Sequence, residues 1–422
     1  PTGHETAAWA RRLLGHSFIV DDGLDERAVV RERYFKGRRQ SRGLMLTIAP
    51  TVNCNFGCSY CFQEHPARSM TPDHDARIRD FVDRQLEEDS SLSVTWFGGE
   101  PLMGFRTILE LAPYLGDLAK QRRCGFSQAI ITNGYLLNAR RVDQLAGLGR
   151  FSYVQITLDG PPQLHDRRRA LRDGRPTFGR ILDNIVGAAA KLPVVVRVNV
   201  DRSNAHGLEE LVDLLAEAGL VGRVGVYLGH TLPYTDVCAD VEDRAFSRAE
   251  FAALEVRFKF LLLQRGWRRH FRLPCPGYGA SCTADSPGGY VLAPGDLVFQ
   301  CWNEVAMSSD QASGHLDADQ VTEAMRQRRD GWKEFDPFTH EPCRTCRVQP
   351  LCRGGCAWEA RKNDASEPGH CTTFRFNIED TLRLYHLQLV LEAGLKEVAG
   401  FGTGGFVPAE RGATAGPQRR MH

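Results

Sequence analysis

The sequence has no long apolar stretch and almost no net charge, and these absences exclude two classes of partner. No run of about 18 apolar residues occurs, so no segment is expected to cross a membrane. The 53 Lys and Arg residues balance 52 Asp and Glu residues, which leaves a formal net charge of +1. Such a balance gives no bulk attraction toward nucleic acid or toward a membrane surface. The sequence therefore predicts a protein that binds neither.

A secretion signal is also missing, because the first residues lack a basic segment followed by an apolar one. The chain starts at Pro1 rather than at Met, which leaves open whether residues were trimmed. Thirteen cysteines in a chain of 422 residues without a signal indicate metal or redox ligands rather than disulfides. We therefore expect a cytoplasmic protein, and its length suggests two or three domains.

Apolar, β-rich runs alternate with amphipathic stretches along the first half of the chain. They predict strands at 44–49, 92–97, 126–132, 153–158, 194–200 and 224–228. Helices are predicted between them at 72–88, 106–120, 138–148, 178–191 and 207–218. Near-continuous apolar strands joined by helices are typical of a parallel sheet buried on both faces. Six such units are too few for a closed eight-stranded barrel, so the pattern predicts a partial (β/α)6 barrel of the α/β class.

The rest of the chain differs in composition and in periodicity. Two short helices are predicted at 5–14 and 25–36, one more at 246–264 and a closing helix at 376–398. Residues 274–373 are rich in Gly, Pro and Cys with little periodicity, typical of loops held by metal. The tail after residue 400 is expected to be disordered. The predicted units are an N-terminal helical arm (1–40), the barrel (41–245), a linker helix (246–272), an auxiliary domain (273–375) and the C-terminal helix with its tail (376–422).

Cys54, Cys58 and Cys61 form a Cys-x3-Cys-x2-Cys triplet, called the barrel triplet below, directly after the first strand. Three thiolates can hold three irons of a [4Fe–4S] cluster, which normally takes four cysteines, so one iron stays open. An odd triplet is a poor tetrahedral zinc cage, and its irregular surroundings do not favour three merely buried cysteines. The motif resembles that of the radical S-adenosylmethionine (SAM) enzymes. In that family the open iron chelates the methionine part of SAM, and an electron from the cluster yields a 5′-deoxyadenosyl radical.

The run from Gly98 and Gly99 to Glu100 and Pro101 ends the second strand and resembles the family's SAM-amine motif. Glycines let the backbone approach a ligand closely, and Glu100 can accept a charge-assisted bond from the SAM ammonium. Further SAM contacts are implied by the resemblance alone. They are Asn133, Thr157 and Asp159 for methionine and ribose, Arg169 for the carboxylate, Arg197 and Asn199 for ribose or carboxylate, and Tyr60 and Phe62 for adenine. Asp159 has an alternative as a turn cap.

Eight cysteines lie in the C-terminal third, and the spacing from Cys343 to Cys356 followed by Cys371 resembles the SPASM domain of peptide-modifying radical SAM enzymes. The resemblance implies two auxiliary [4Fe–4S] clusters, hence three clusters plus SAM. The first would be held by Cys275, Cys282, Cys301 and Cys356, and the second by Cys343, Cys346, Cys352 and Cys371. Two zinc sites are the rival interpretation, and the barrel triplet favours iron. With no ligand missing, electron transfer or a structural role is expected. Five residues separate Gly295 from Cys301 where the family has four, which questions the local hairpin.

Two cysteines remain. Cys124 precedes a strand on the side opposite the site and is interpreted as a bystander. Cys238 follows the sixth strand, near the barrel mouth where catalytic groups gather. A catalytic role for Cys238 as a radical or proton donor is the minority hypothesis.

The resemblance implies a peptide maturase that abstracts a hydrogen from a ribosomally made precursor peptide and installs a thioether, C–C or ether crosslink. A reductant such as flavodoxin or ferredoxin is implied. Residues 1–40 are too short for a winged-helix recognition domain, which leaves room for a separate recognition protein. One alternative is an anaerobic sulfatase maturase that forms formylglycine. There an Asp base follows the cysteine matching Cys301, whereas here Trp302 does, with Asn303 and Glu304 as imperfect substitutes. A peptide epimerase and an iron–sulfur electron carrier are further alternatives, but a carrier does not explain the SAM-like motifs.

Overall fold

The computed structural model describes residues 20–149, 151–268, 271–272, 274–280, 282–362 and 370–393. The helix predicted at 5–14 and the tail after residue 400 therefore lie outside the described residues. Six parallel strands follow one another along the chain: β1 Leu44–Ile48, β2 Ser91–Trp96, β3 Gly125–Thr132, β4 Phe151–Thr157, β5 Val194–Val200 and β6 Gly225–His230. Each pairs in parallel with its neighbours in sequence, with one register shift between β3 and β4 at Gln128 and Ala129. The predicted parallel sheet of a partial barrel is confirmed.

Helices cover the outer side of this sheet. They are α2 Pro72–Gln85, α3 Phe105–Gln121, α4 Ala139–Gly147, α5 Pro162–Arg168, α6 Phe178–Ala188 and α7 Leu208–Glu217. The alternation along β5 shows how the sheet is sided, since Val194, Val196, Val198 and Val200 are buried and the residues between them are only half-buried. The buried set packs with Ile181 of α6 in the main core. The other set, which includes Arg197, therefore faces the inner side of the partial barrel.

The C-terminal part differs from the sequence-based expectation. Residues 274–373 were expected to be loops, yet β7 Gly289–Ala293 pairs in parallel with β1, and β8 Leu297–Phe299 and β9 Gly314–His315 follow antiparallel. Within the described residues the sheet thus has nine strands, in the order β6-β5-β4-β3-β2-β1-β7-β8-β9. The questioned hairpin is present, because Gly295 and Asp296 turn it with φ of +89° and +62°. Strands of two to five residues are too short to show a period, which is why they were missed.

The remaining helices lie before the first strand or after the sixth. They are α1 Glu26–Arg39, α8 Arg248–Gln264, α9 Glu323–Lys333, α10 Gln349–Cys352, α11 Ala357–Lys362 and α12 Phe374–Glu392. From α1, the buried Tyr34 donates to Asp285 at 3.2 Å and Arg38 donates to the Phe335 carbonyl at 2.9 Å, so this arm packs on the auxiliary region. Helix α12 packs on α8 through Leu384. None of the helices in the described ranges is both long and apolar enough to cross a bilayer.

Candidate active site

The barrel triplet lies in the loop after β1, and backbone contacts hold this loop against the end of β2. The amides of Gly99 and Glu100 donate to the carbonyls of Thr51 and Asn53 at 3.0 and 2.9 Å. A Cβ built on Gly98 would lie 2.3 Å from the Thr51 carbonyl oxygen, and one on Gly99 2.3 Å from that of Asn53. The two glycines therefore make room for the protein's own cysteine loop. The expectation that their backbone also approaches a ligand stays a prediction.

The three thiols of the barrel triplet face one confined space. Burial raises the pKa of Cys54 to about 12, and the charges of Glu100, Cys58 and Cys61 raise it further. Burial likewise raises the pKa of Cys61 to about 12 and that of Cys58, where Arg169 opposes the rise. The metal-free thiols are thus protonated at neutral pH. Since metal ligation requires thiolates, binding of an iron–sulfur group at this loop must release protons.

His65 contacts the barrel triplet and was missed by the sequence analysis. Its Nε2 lies 3.2 Å from the Cys61 sulfur, while its Nδ1 lies 3.0 Å from the Val52 carbonyl oxygen. Burial lowers the pKa of His65, which favours the neutral ring. Its position four residues after Cys61 matches no ligand spacing, so only the loop's folding shows the contact.

Glu100 is fully buried just after β2, and its carboxylate accepts three hydrogen bonds from residues that follow β2 or end β3. The donors are the Thr132 hydroxyl at 2.7 Å, the Asn133 amide at 2.7 Å and the Leu102 amide at 3.0 Å. Burial raises the pKa of Glu100, and these three bonds oppose the rise. The carboxylate therefore clamps the end of β2 to the end of β3. Pro101, also buried, begins the 3-10 turn Pro101–Gly104 that follows.

Asn133 connects the clamp to the cysteine loop. Its side-chain amide donates to the side-chain oxygen Oδ1 of Asn55 at 2.8 Å and lies 4.0 Å from the Cys54 sulfur. Thr157, the last residue of β4, is buried at the same carboxyl edge of the sheet. Because parallel strands end side by side, residues spread over a hundred positions in sequence meet at this edge.

Four predicted SAM contacts form one buried hydrogen-bond network around the hydroxyl of Tyr60. That hydroxyl donates to Asp159 and accepts from Arg169 and from Asn199, the last at 3.1 Å. Asp159 also accepts from the Asn199 backbone amide at 2.9 Å, so this carboxylate joins the ends of β4 and β5. The buried Nε of Arg169 has no hydrogen-bond partner among the described residues. Arg169 therefore retains a donor for a ligand.

The neighbouring Arg168 is engaged elsewhere. Its guanidinium lies 2.9 Å from the Asp201 carboxylate and 3.8 Å from that of Asp159, and all three side chains are buried. It also stacks over the Tyr60 ring at 4.8 Å. The Arg168 Nε, like that of Arg169, has no hydrogen-bond partner among the described residues. The two arginines differ in their ion pairs, since Arg168 is paired with Asp201 and Arg169 donates to the Tyr60 hydroxyl.

Arg197 reaches into the inner side of the barrel from β5. It donates to the Asn199 side chain at 2.7 Å and to the Tyr227 hydroxyl at 3.4 Å. Gly229 leaves room for it, because a Cβ there would lie 2.4 Å from the Arg197 Nε. Phe62 packs edge-on to Tyr234, with 6.1 Å between ring centroids, and its carbonyl accepts from Thr235 at 2.6 Å. The loop after β6 thus closes over the cysteine loop.

The two leftover cysteines occupy opposite ends of the barrel. Cys238 is buried beneath the loop after β6, and its thiol lies 3.4 Å from the Thr235 carbonyl oxygen. This local contact gives it a structural partner at the barrel mouth. Cys124 lies just before β3, where its thiol contacts the Glu87 carbonyl at 3.1 Å.

The C-terminal cysteines fall into two groups. Burial raises the pKa of Cys343 to about 12, and the nearby Cys352, Cys371 and Cys346 add to that rise, so these four thiols, the second group, lie together. Burial also raises the pKa of Cys301, with further contributions from Glu304, Cys356 and Cys282. These three thiols, called the first group, lie where β8 ends.

The donors fit iron–sulfur groups, since they are thiols gathered three or four together. In the first group Cys282 is exposed, as is Cys275, the fourth predicted ligand. No set of three or more His, Cys, Asp or Glu side chains within the described ranges is arranged to hold a single metal ion.

The position after Cys301 is apolar. The Trp302 ring packs on Phe97, the residue before Gly98, with 5.3 Å between centroids. Glu304 is buried and accepts from the amides of Gln300 and Cys301 at 3.1 and 3.0 Å. It therefore caps its own turn through one oxygen, Oε2.

Comparison with known proteins agrees with this architecture. Residues 48–215 match the model of the radical SAM superfamily. Sporulation killing factor maturation protein SkfB of Bacillus subtilis is 27% identical over 217 residues, which are 51% of this chain and 46% of SkfB. A serine-type anaerobic sulfatase-maturating enzyme of Klebsiella aerogenes is 24% identical over 349 residues, 74% of this chain and 78% of that enzyme. The chain spans about half the length of the first curated relatives it matches, from 36% to 59%.

A solved structure extends the likeness to the C-terminal region. The structure of anSMEcpe with bound AdoMet and Cp18Cys peptide superposes with a TM-score of 0.59 at 18% identity. It covers 83% of this chain and 99% of that chain. At this identity the likeness is one of fold, and it includes the part of the chain beyond the six-stranded barrel.

Proposed function

We propose that this protein, a radical SAM protein through its domain at residues 48–215, is a peptide maturase. It would abstract a hydrogen from a ribosomally made precursor peptide and install an oxidative crosslink of the thioether, C–C or ether type. The observation that carries the proposal is the meeting of the barrel triplet, the Glu100 clamp and the Tyr60 network at one edge of the sheet.

The barrel triplet would hold a [4Fe–4S] cluster with one open iron, and SAM bound there supplies a 5′-deoxyadenosyl radical on reduction. The chain's own residues would bind SAM and orient it. The Glu100 carboxylate can accept one more donor such as an ammonium, since each of its oxygens takes up to two. The spare Nε of Arg169 and the Arg197 guanidinium are donors suited to a carboxylate or a ribose hydroxyl. The site thus presents an acceptor and two cations in fixed positions.

The residues that follow Cys301 favour a peptide crosslink over the formation of an aldehyde. Formylglycine formation in the sulfatase maturases relies on an Asp where this chain has Trp302. Here Trp302 packs against Phe97, and two backbone amides tie Glu304 to its own turn. The residue directly after Cys301 therefore carries no acid. The name of SkfB, a killing-factor maturation protein, supports a peptide product.

The sulfatase maturase remains the second candidate, because the Klebsiella enzyme aligns over most of both chains. Auxiliary [4Fe–4S] clusters are proposed at the first and second cysteine groups, with electron transfer or structural support as their role. The precursor peptide, a flavodoxin- or ferredoxin-type reductant and a separate recognition protein are the proposed partners.

The test has two stages. Protein reconstituted without air is incubated with SAM and dithionite, and 5′-deoxyadenosine is measured; its absence would refute radical SAM activity. The enzyme is then incubated with the small peptide encoded beside its gene, followed by mass spectrometry. Loss of two hydrogens, with fragment ions missing inside a ring, supports crosslinking. An unchanged mass with deuterium taken up from solvent would indicate epimerisation, and formylglycine on a sulfatase peptide would favour the second candidate.

A further inference from the structure

We propose that the surface formed by Arg27, Arg344, Arg347 and Arg375, called the basic face, is the docking surface for an acidic one-electron carrier protein of the flavodoxin or ferredoxin type. The inference rests on the proposed function and names where one of its partners binds. It goes beyond the site at the barrel mouth, because the basic face lies on the auxiliary region.

The basic face is mostly exposed, with Arg27, Arg344 and Arg347 at the surface and Arg375 half-buried. The Arg27 guanidinium of α1 donates to the Arg344 carbonyl, which joins α1 to the loop that carries two cysteines of the second group. The side chains of Arg344 and Arg347 are 68% and 72% exposed. Their ion-pair partners are Glu341 at 3.5 Å and Glu379 at 2.8 Å. Such exposed pairs are weak enough to be exchanged for a partner's acids.

The basic face also touches the second cysteine group. An Nη of Arg375 lies 3.9 Å from the Cys371 sulfur, so a positive charge stands between that thiol and the surface. Arg344 and Arg347 each directly follow a cysteine of the group in sequence. Phe376, next to Arg375, is 39% exposed. Arginine with an exposed aromatic ring is the composition enriched at protein–protein interfaces.

Carboxylates lie beside the first group. The Cys282 amide donates to Asp285 at 2.8 Å, and the Cys301 amide donates to Glu304 at 3.0 Å. Exposed arginines flank the second group instead, so an anionic protein is attracted there. In the transfer itself the carrier loses one electron and the iron–sulfur group gains it, and no bond or proton changes place.

The test compares two doubly charge-reversed forms of the reconstituted holoenzyme. The first is Arg344→Glu with Arg347→Glu. The second, a matched control with the same change in net charge, is Arg140→Glu with Arg223→Glu, two exposed arginines on the helical side of the barrel. Flavodoxin is the probe. Its affinity is measured by biolayer interferometry, and its reoxidation by the enzyme is followed by stopped-flow absorbance at low and high salt. Iron content and thermal unfolding show that each variant is folded, and Arg344→Gln with Arg347→Gln repeats the measurement without added acid.

We expect the basic-face reversal to weaken flavodoxin binding and slow its reoxidation by about tenfold or more at low salt, with the difference shrinking at high salt. The matched control should behave like wild type. Equal losses in both reversed forms, or none in either, would overturn the basic face as the docking surface. Formation of 5′-deoxyadenosine with dithionite needs no docking and should survive in every variant. If even the wild type lacks it, the proposed function fails, while the binding comparison still decides the basic face.

Discussion

Glu100 provides the sharpest test of the site, because the structure gives its carboxylate two separable tasks. It accepts three buried hydrogen bonds that clamp β2 to β3, and the proposal adds the SAM ammonium as a fourth donor. Glu100→Ala removes both tasks. Glu100→Gln keeps one oxygen for the clamp and removes the negative charge. Its amide N–H group then faces one of the donors that the second oxygen or SAM would otherwise accept from. The two variants should therefore separate folding from SAM binding.

The magnitudes follow from the contacts. A buried donor left without its acceptor costs about 1–3 kcal/mol, and removing a buried charge recovers part of that loss. We expect Glu100→Ala to lower the free energy of unfolding by roughly 2–4 kcal/mol. For Glu100→Gln we expect a smaller loss of stability. The charge-assisted bond to SAM is worth about 1.5–3 kcal/mol, so SAM binding should weaken by roughly ten- to hundredfold.

Denaturant unfolding of the metal-free protein and SAM titration of the reconstituted protein are the two assays. Asp166→Asn is the matched control, since that carboxylate also accepts two backbone amides, at 2.7 and 2.9 Å, without a proposed SAM contact. Its SAM affinity should be unchanged. A wild-type unfolding midpoint for Glu100→Ala would refute the clamp. Wild-type SAM affinity in Glu100→Gln would show that the carboxylate is not a SAM ligand.

Three further outcomes are expected. Replacing all three cysteines of the barrel triplet by Ala should lower iron from about twelve to about eight atoms per chain and abolish 5′-deoxyadenosine, whereas stoichiometric zinc would contradict the auxiliary clusters. Burial, with Arg248 nearby, lowers the pKa of His230 to about 4. The unfolded chain then binds more protons, so stability should fall by up to about 3 kcal/mol as pH drops from about 6.5 to 4, and His230→Gln should remove that slope in urea melts. Arg168→Ala leaves the buried Asp201 with Arg244, at 3.3 Å, as its remaining ion-pair partner and should cost roughly 1–3 kcal/mol in the same melts, while an unchanged midpoint would argue against a stabilising pair.

The strands of the barrel could be predicted because buried parallel strands are long apolar runs. Val194–Val200 was predicted with the bounds it has, since its alternating valines continue through the strand. The strands β7 to β9 were missed for the opposite reason. They are two to five residues long, and β1, the strand that β7 pairs with, lies more than two hundred residues earlier. No local period can report a contact of that range.

For the site, the residue types by themselves determined that thiols, an acid after two glycines and several cations occur at the ends of successive strands. A motif records which donors are available, because chemistry depends on the side chain. Only the tertiary structure decided how those donors are used. It showed that Gly98 and Gly99 accommodate the cysteine loop, that Arg168 pairs with Asp201 while Arg169 donates to Tyr60, and that His65 contacts Cys61. Partners in a hydrogen bond are chosen by distance and direction, and these exist only once the strand ends have been brought side by side.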